Sequence, residues 1–196
     1  MTVLNIVTPP DPVLRQKTKP VVRFDAELQT LIDDMIETMR AVHGVGLAAP
    51  QVGRSLRLAV IETLPKVDSA GNELKNSREL FVIINPEIVW TSSTVVDGIE
   101  GCLSIPGFVG EVTRHESVRV KAQDRHGKKI KLRINGWSAR IFQHEIDHLD
   151  GILYIDRLTS PDNFWREEDY YNQLAGSDAD EIAPDASETV SVHSPV

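Results

Sequence analysis

Strand-like runs fill the middle of this 196-residue chain, with no regular alternation of strand and helix. Residues 57–62 and 80–90 read as strands. Val118, Val120 and Ala122, then Ile130, Leu132 and Ile134, alternate with polar residues around DRHGKK, whose Gly127 suits a turn. That period of two on either side of a turn predicts a hairpin. Parallel neighbours would need a long crossover between them, usually a helix. Without that pattern the strands pair antiparallel, and the expected fold class is α+β. Antiparallel sheets would pack around a central helix, with an N-terminal helix and a short C-terminal helix beside them.

Three segments carry the helical signal. Leu28, Leu31, Ile32, Met35, Ile36, Met39 and Val42 recur at three- and four-residue steps, which predicts a helix over 25–43. Asp25 suits its N-cap and Gly44 the left-handed position beyond its end. The stripe is core, and Met35 and Met39 need no other explanation. A second helix is expected over 137–150, stopped by Gly151, with Phe142, Ile146 and Leu149 facing the core. Ser160-Pro161 reads as the N-cap and first residue of a last helix to about Leu174. GVGLAAPQVG (44–53) reads as a small-residue loop. Its GVG follows a helix and lacks the spacing of a dinucleotide-binding fingerprint.

Central to the chemistry is QHEIDHLDG, 143–151. Residues four apart on a helix lie on one face about a turn apart, so His144 and His148 can reach one ion together. Glu145 points about 100° away from His144 and can flank that ion as a proton carrier. A solvated helix face carrying two histidines is the bland alternative. Two imidazoles do not complete a site, because catalytic sites of this kind take three protein ligands and leave a fourth position for water. The chain has a single cysteine, Cys102, next to Gly101 in EGCLSIP. Cys102, His144 and His148 together supply a thiolate, two imidazoles and an open position. Ligand softness by itself favours zinc.

Composition narrows the surroundings. The length suits one domain, expected over 1–175. The tail, 176–196, contains five acidic residues and no Lys or Arg, and reads as disordered. Removing those five charges from the net −8 leaves −3 for the body, which gives no electrostatic reason to expect nucleic-acid binding. No run approaches the ~20 apolar residues of a membrane span, and MTVLNIVTPPDPVLRQ has neither a signal-peptide nor a transit-peptide composition. A lone cysteine excludes an internal disulfide and fits a reducing cytosol. No membrane and no specific nucleic acid are expected as partners.

GVGLAAPQ, EGCLSIP and QHEIDHLDG, in that order, resemble the three motifs of the peptide deformylase family: G-x-G-L-A-A-x-Q, E-G-C-L-S and Q-H-E-x-D-H-L-x-G. The likeness runs from about Thr8 to about Arg157. It departs from the family at a polar insert, 65–79, and at the acidic tail. The resemblance implies removal of the formyl group from N-formylmethionyl nascent chains by a metal-activated water, with release of formate. Cys102, His144 and His148 would bind the metal and Glu145 would be the acid/base. Gln51 and the Leu103 N–H would form the oxyanion hole, while Gly46 and Gly101 would offer backbone to an extended substrate. The metal implied is Fe(II), with zinc, nickel or cobalt able to replace it. Transient ribosome association in a bacterial-type cytoplasm follows from the same likeness. The rivals are an H-E-x-x-H metallopeptidase, whose third ligand would lie C-terminal to the helix, and a module with a closed structural metal.

Two further expectations come from helical spacing. Trp137 and Ile141 precede the metal pair on the same face, so with Val45 they are expected to line the pocket for the methionine side chain. Asp147 is expected to hydrogen-bond close to the metal helix rather than to ligate.

Overall fold

The computed structural model describes residues 2–65, 68, 72, 74, 77–176 and 190–193. In chain order it begins with α1 (Ala26–Ala41), β1 (Gly46–Ala48), β2 (Leu58–Glu62) and β3 (Leu80–Thr91). Next come β4 (Val95–Cys102), β5 (Ile105–His115), β6 (Ser117–Gln123), β7 (Lys129–Asn135) and α2 (Gly136–Leu149). β8 (Phe164–Arg166), α3 (Glu167–Gly176) and β9 (Val190–His193) complete the order. One sheet runs β1-β2-β3-β6-β7-β9 and a smaller one β4-β5-β8. Every pairing between these strands is antiparallel, as the missing crossovers required. The expected α+β class holds.

The core follows the two periodicities. In α1, Leu28, Ile32, Met35, Ile36 and Met39 are buried against Leu47, Leu58, Val60 and Ile84, each burial worth ~1.5–3 kcal/mol. Asp25 Oδ1 caps the helix by accepting from the Leu28 N–H at 3.1 Å. On the hairpin, Val118 faces Ile134, Val120 faces Leu132 and Ala122 faces Ile130. These inward side chains meet Ala139, Phe142, Ile146 and Leu149 of α2 in one cluster. The large sheet therefore carries α2 on one face, and α2 is buried from Ser138 to Leu149. Among the described residues no helix is long and apolar enough to cross a membrane.

The structure corrects several local expectations. α1 ends at Ala41, two residues short of the expected end, so His43, not Gly44, adopts the left-handed conformation (φ 56°). The His43 N–H bonds to the Arg40 carbonyl (3.1 Å) and the Gly44 N–H to that of Met39 (2.9 Å), a Schellman ending. Gly44 instead packs closely under Leu103, whose Cδ1 would lie 3.0 Å from a Cβ there. The supposed loop 44–53 is β1 followed by a single 3-10 turn, Ala49–Val52. Ser160 caps only a turn. The segment after it becomes β8, held on β5 by a Phe164–Phe108 ring stack with centroids 5.1 Å apart, and the last helix starts at Glu167.

β4 and β5 are strands that periodicity did not mark, and they carry Cys102. Gly101 pairs with Val109, but Cys102 pairs with Ile105, so Pro106, Gly107 and Phe108 have no partner on β4. The acidic tail lies mostly outside the described residues. Within it, Val190–His193 pairs with β7, which differs from the disorder expected of those four residues.

Candidate metal centre

α2 projects His144 and His148 from one face, one turn apart, with their Nε2 atoms at 3.2 Å. The hairpin tip between β4 and β5 brings Cys102 Sγ to 3.2 Å from His148 Nε2. The extra residues on β5 form a bulge that re-aims the tip towards α2. The three potential ligand atoms lie within 4.8 Å of one another.

The donor set fits a metal ion on its own chemistry. His144 Nδ1 is 2.9 Å from Glu100 Oε2. An ionised carboxylate only accepts, so Nδ1 carries a proton and Nε2 is the atom left turned towards the sulfur and His148. Two imidazole nitrogens and a sulfur converging this closely form a donor set that a cation would bridge. Cys102 and Glu100 hold the His144 pKa well above its ordinary value against the opposing effect of burial. Burial, helped by His144, pushes that of His148 well below.

Glu145 is 4% exposed, and burial lifts its carboxyl to about 7, against the pull of His144. Its Oε2 is buried with no hydrogen-bond partner among the described residues. Gly46 makes room for it: a Cβ there would lie 2.7 Å from Glu145 Cδ. Gln51 is 1% exposed, and its Oε1 accepts the Ala48 N–H at 2.8 Å. With the oxygen so held, Nε2 turns to Cys102 Sγ (3.5 Å) and Ser104 Oγ (3.4 Å). The amide thus presents its donor end to the centre.

A cavity of about 590 Å³ opens beside these groups. Val45, Gly46, Gly101, Leu103, Trp137 and Ile141 line it together with Gln51, Cys102, His144 and Glu145. His148 lies behind it, 1% exposed. Of the residues singled out from the sequence around the metal, all but His148 and Asp147 line this cavity.

Four charged residues, Glu100, Arg114, Arg140 and Arg157, have no role predicted from the sequence. Buried Arg114 donates to both oxygens of Glu100 at 2.9 Å, and also to Asp147 Oδ2. Arg140 donates to Glu100 Oε1 (2.9 Å) and to the carbonyls of Val112 and Val96 (both 2.7 Å). Burial alone would raise the Glu100 carboxyl, but Arg114 and His144 override it and hold it well below the carboxylate range. Asp147 also accepts from Arg157 at 2.6 and 2.7 Å. It sits two residues away from Glu100 in a chain of ion pairs that ends on His144. Weak signals for these residues existed: Arg114 shares the inward face of β5 with Val112, and Arg140 lies one turn before His144.

The comparisons with known proteins agree with this geometry. The family model described as polypeptide deformylase matches residues 3–164. A peptide deformylase of Symbiobacterium thermophilum is 54% identical over 82% of this chain and 69% of its own length. One of Dehalococcoides mccartyi is 49% identical over 83% of this chain and 90% of its own. Among solved structures, a peptide deformylase of Legionella pneumophila superposes with a TM-score of 0.72 at 44% identity, covering 90% of this chain and 99% of that one. That of Thermotoga maritima gives 0.72 at 40% identity, covering 82% and 100%. By motifs, site geometry and overall similarity, this chain belongs to the peptide deformylase family.

Proposed function

We propose that the reaction of this family, removal of the N-formyl group from newly made polypeptides, is carried out here by the groups around Cys102, His144 and His148. The observation that supports this most is the convergence of those three donors with Glu145 and Gln51 on one cavity. Cys102, His144 and His148 hold one divalent ion, which when bound supplies Lewis acidity and lowers the pKa of water. A thiolate with two imidazoles suits Fe(II), zinc, nickel or cobalt, and the family likeness favours Fe(II).

Glu145 accepts a proton from the attacking water at an oxygen that no protein group occupies, then delivers it to the departing amine. A carboxyl poised near 7 suits both tasks. Gln51 Nε2 and the Leu103 N–H stabilise the oxyanion that develops on the formyl oxygen. The backbones of Gly46 and Gly101 receive the peptide as an extended strand. Val45, Trp137 and Ile141 hold the methionine side chain. Ile141→Ala should enlarge that slot and move preference towards formyl-Phe peptides by ~1–3 kcal/mol. Equal losses in kcat/KM for formyl-Met and formyl-Phe substrates would remove Ile141 from the pocket.

A thiolate ligand needs a reducing compartment, which supports a bacterial-type cytoplasm, and substrates made on ribosomes support transient contact with them. A metallopeptidase reading is not favoured, because Cys102 supplies the third donor from upstream of the helix. Protein purified without oxygen and loaded with iron should release formate from a formyl-Met-Ala peptide. Cleavage of the internal peptide bond without formate release would overturn the reading.

A further inference from the structure

The face of the large sheet that points away from α2 carries an uneven set of charges. Arg119 and Lys121 of β6 and Lys129, Lys131 and Arg133 of β7 are all exposed. The register sets Arg119 directly opposite Arg133 and Lys121 opposite Lys131. Like charges facing each other across a ladder cost stability, and none of the five has an ion-pair partner among the described residues. On the adjoining strand Trp90 pairs with Arg119 and is 44% exposed, with the Arg119 guanidinium 4.8 Å from the ring centroid. Glu87, opposite Lys121, is the sole acid among these ladder positions. The body's near-neutral charge therefore conceals a cationic face with an aromatic residue at its border.

We propose that this face, Trp90 with Arg119, Lys121, Lys129, Lys131 and Arg133, is a binding surface for RNA backbone. Five cations without an ion-pair partner among the described residues, set on a rigid sheet, match a row of phosphates. An exposed indole beside them offers a platform on which a base can stack. A lipid surface would also accept these charges and an interfacial indole, so vesicle binding is the arm of the test that separates the two. The face lies across the sheet from the metal helix, so an RNA held there leaves the cavity free. This deepens the reading that the enzyme works beside the ribosome, and rests on it for the identity of the RNA. RNA binding itself is measured separately from formate release.

The test is fluorescence anisotropy with a labelled single-stranded RNA oligonucleotide and the full-length protein. Five phosphate contacts predict a slope of log K against log salt of about −3 to −4, so affinity should fall roughly 100-fold between 50 and 200 mM salt. Lys121→Glu combined with Lys131→Glu and Arg133→Glu should abolish binding. Trp90→Ala should weaken it about 5- to 150-fold, and Glu87→Gln should strengthen it. All of these variants should retain wild-type kcat/KM on a short formyl-peptide, which shows that they are folded. Co-sedimentation with purified ribosomes should be lost in the triple variant. No RNA binding at low salt, binding indifferent to the triple variant, or binding only to phosphatidylglycerol vesicles would each overturn the proposal. Loss of formate release with RNA binding intact would instead count against the assigned reaction.

Discussion

On one side of His144, Glu100, Arg114 and Asp147 form a buried chain in which each charge meets an opposite one at hydrogen-bond distance. On the other side, Cys102, Glu145 and Gln51 face a cavity, and a Glu145 oxygen has no hydrogen-bond partner among the described residues. The same few ångströms thus hold a fully satisfied network and an unsatisfied one. Satisfied polar networks fix geometry, whereas an unpaired buried carboxyl keeps a raised pKa and an acceptor in reserve. The difference separates residues that hold His144 in place from residues that react. Only Arg157, partly exposed, links the first set to solvent.

Removing members of either set should separate them further. The largest effect is expected from Cys102→Ala. Two imidazoles cannot hold the ion in catalytic geometry, so elemental analysis should find the metal gone and formate release abolished. Full metal occupancy with normal turnover would refute the ligand assignment. Gln51→Leu comes next. It should lower kcat by about 10²–10³-fold with metal content unchanged, and a change confined to KM would make Gln51 a substrate-positioning residue instead.

Substitution in the satisfied set should act through the metal, not through the chemical step. Glu100→Gln leaves Arg114 and Arg140 without their buried counter-charge and loosens His144. Metal affinity should drop about 10–100-fold, with kcat per bound metal nearly retained in a chelator titration. A collapse of kcat at full occupancy would move Glu100 into the reacting set. Asp147→Asn should be milder, because Arg157 can turn to water. Stability measured by urea unfolding should fall by about 1–3 kcal/mol with a smaller loss of metal affinity than for Glu100→Gln. An Asp147→Asn protein with wild-type stability and metal affinity would cut Asp147 out of the chain.

What the sequence disclosed follows the same division. His144, His148 and Glu145 were legible because helix geometry fixes the relation of residues one and four apart. Cys102 stood out because it is the chain's one cysteine. Glu100 and Arg114 form an equally direct contact, but they lie 14 residues apart on two strands that alternation did not reveal. Gly98, Gly101, Gly107 and Gly110 dilute the apolar period there, and residues 106–108, which have no partner on β4, break it. The end of α1 was misjudged for a local reason, since the Schellman bonds close around His43 while Gly44 answers to Leu103. The cationic sheet face went unread although SVRVKAQ and KIKLRIN spell it out, because total charge averages over faces that period-two alternation keeps apart.

The lack of β4 partners for Pro106, Gly107 and Phe108 has a consequence for how such a chain can change over generations. Upstream of them the ladder from Val95 to Gly101 is regular; beyond them the tip carries the metal-binding sulfur. A deletion or insertion within these three residues would reposition Cys102 while leaving the inward and outward faces of β4 as they are. The hairpin behaves as a fixed arm with an adjustable wrist. A change of length at Pro106 or Gly107 thus alters the reach of the Cys102 sulfur, whereas one at Phe108 would also disturb its pairing with Arg166 and its bond from the Tyr154 hydroxyl.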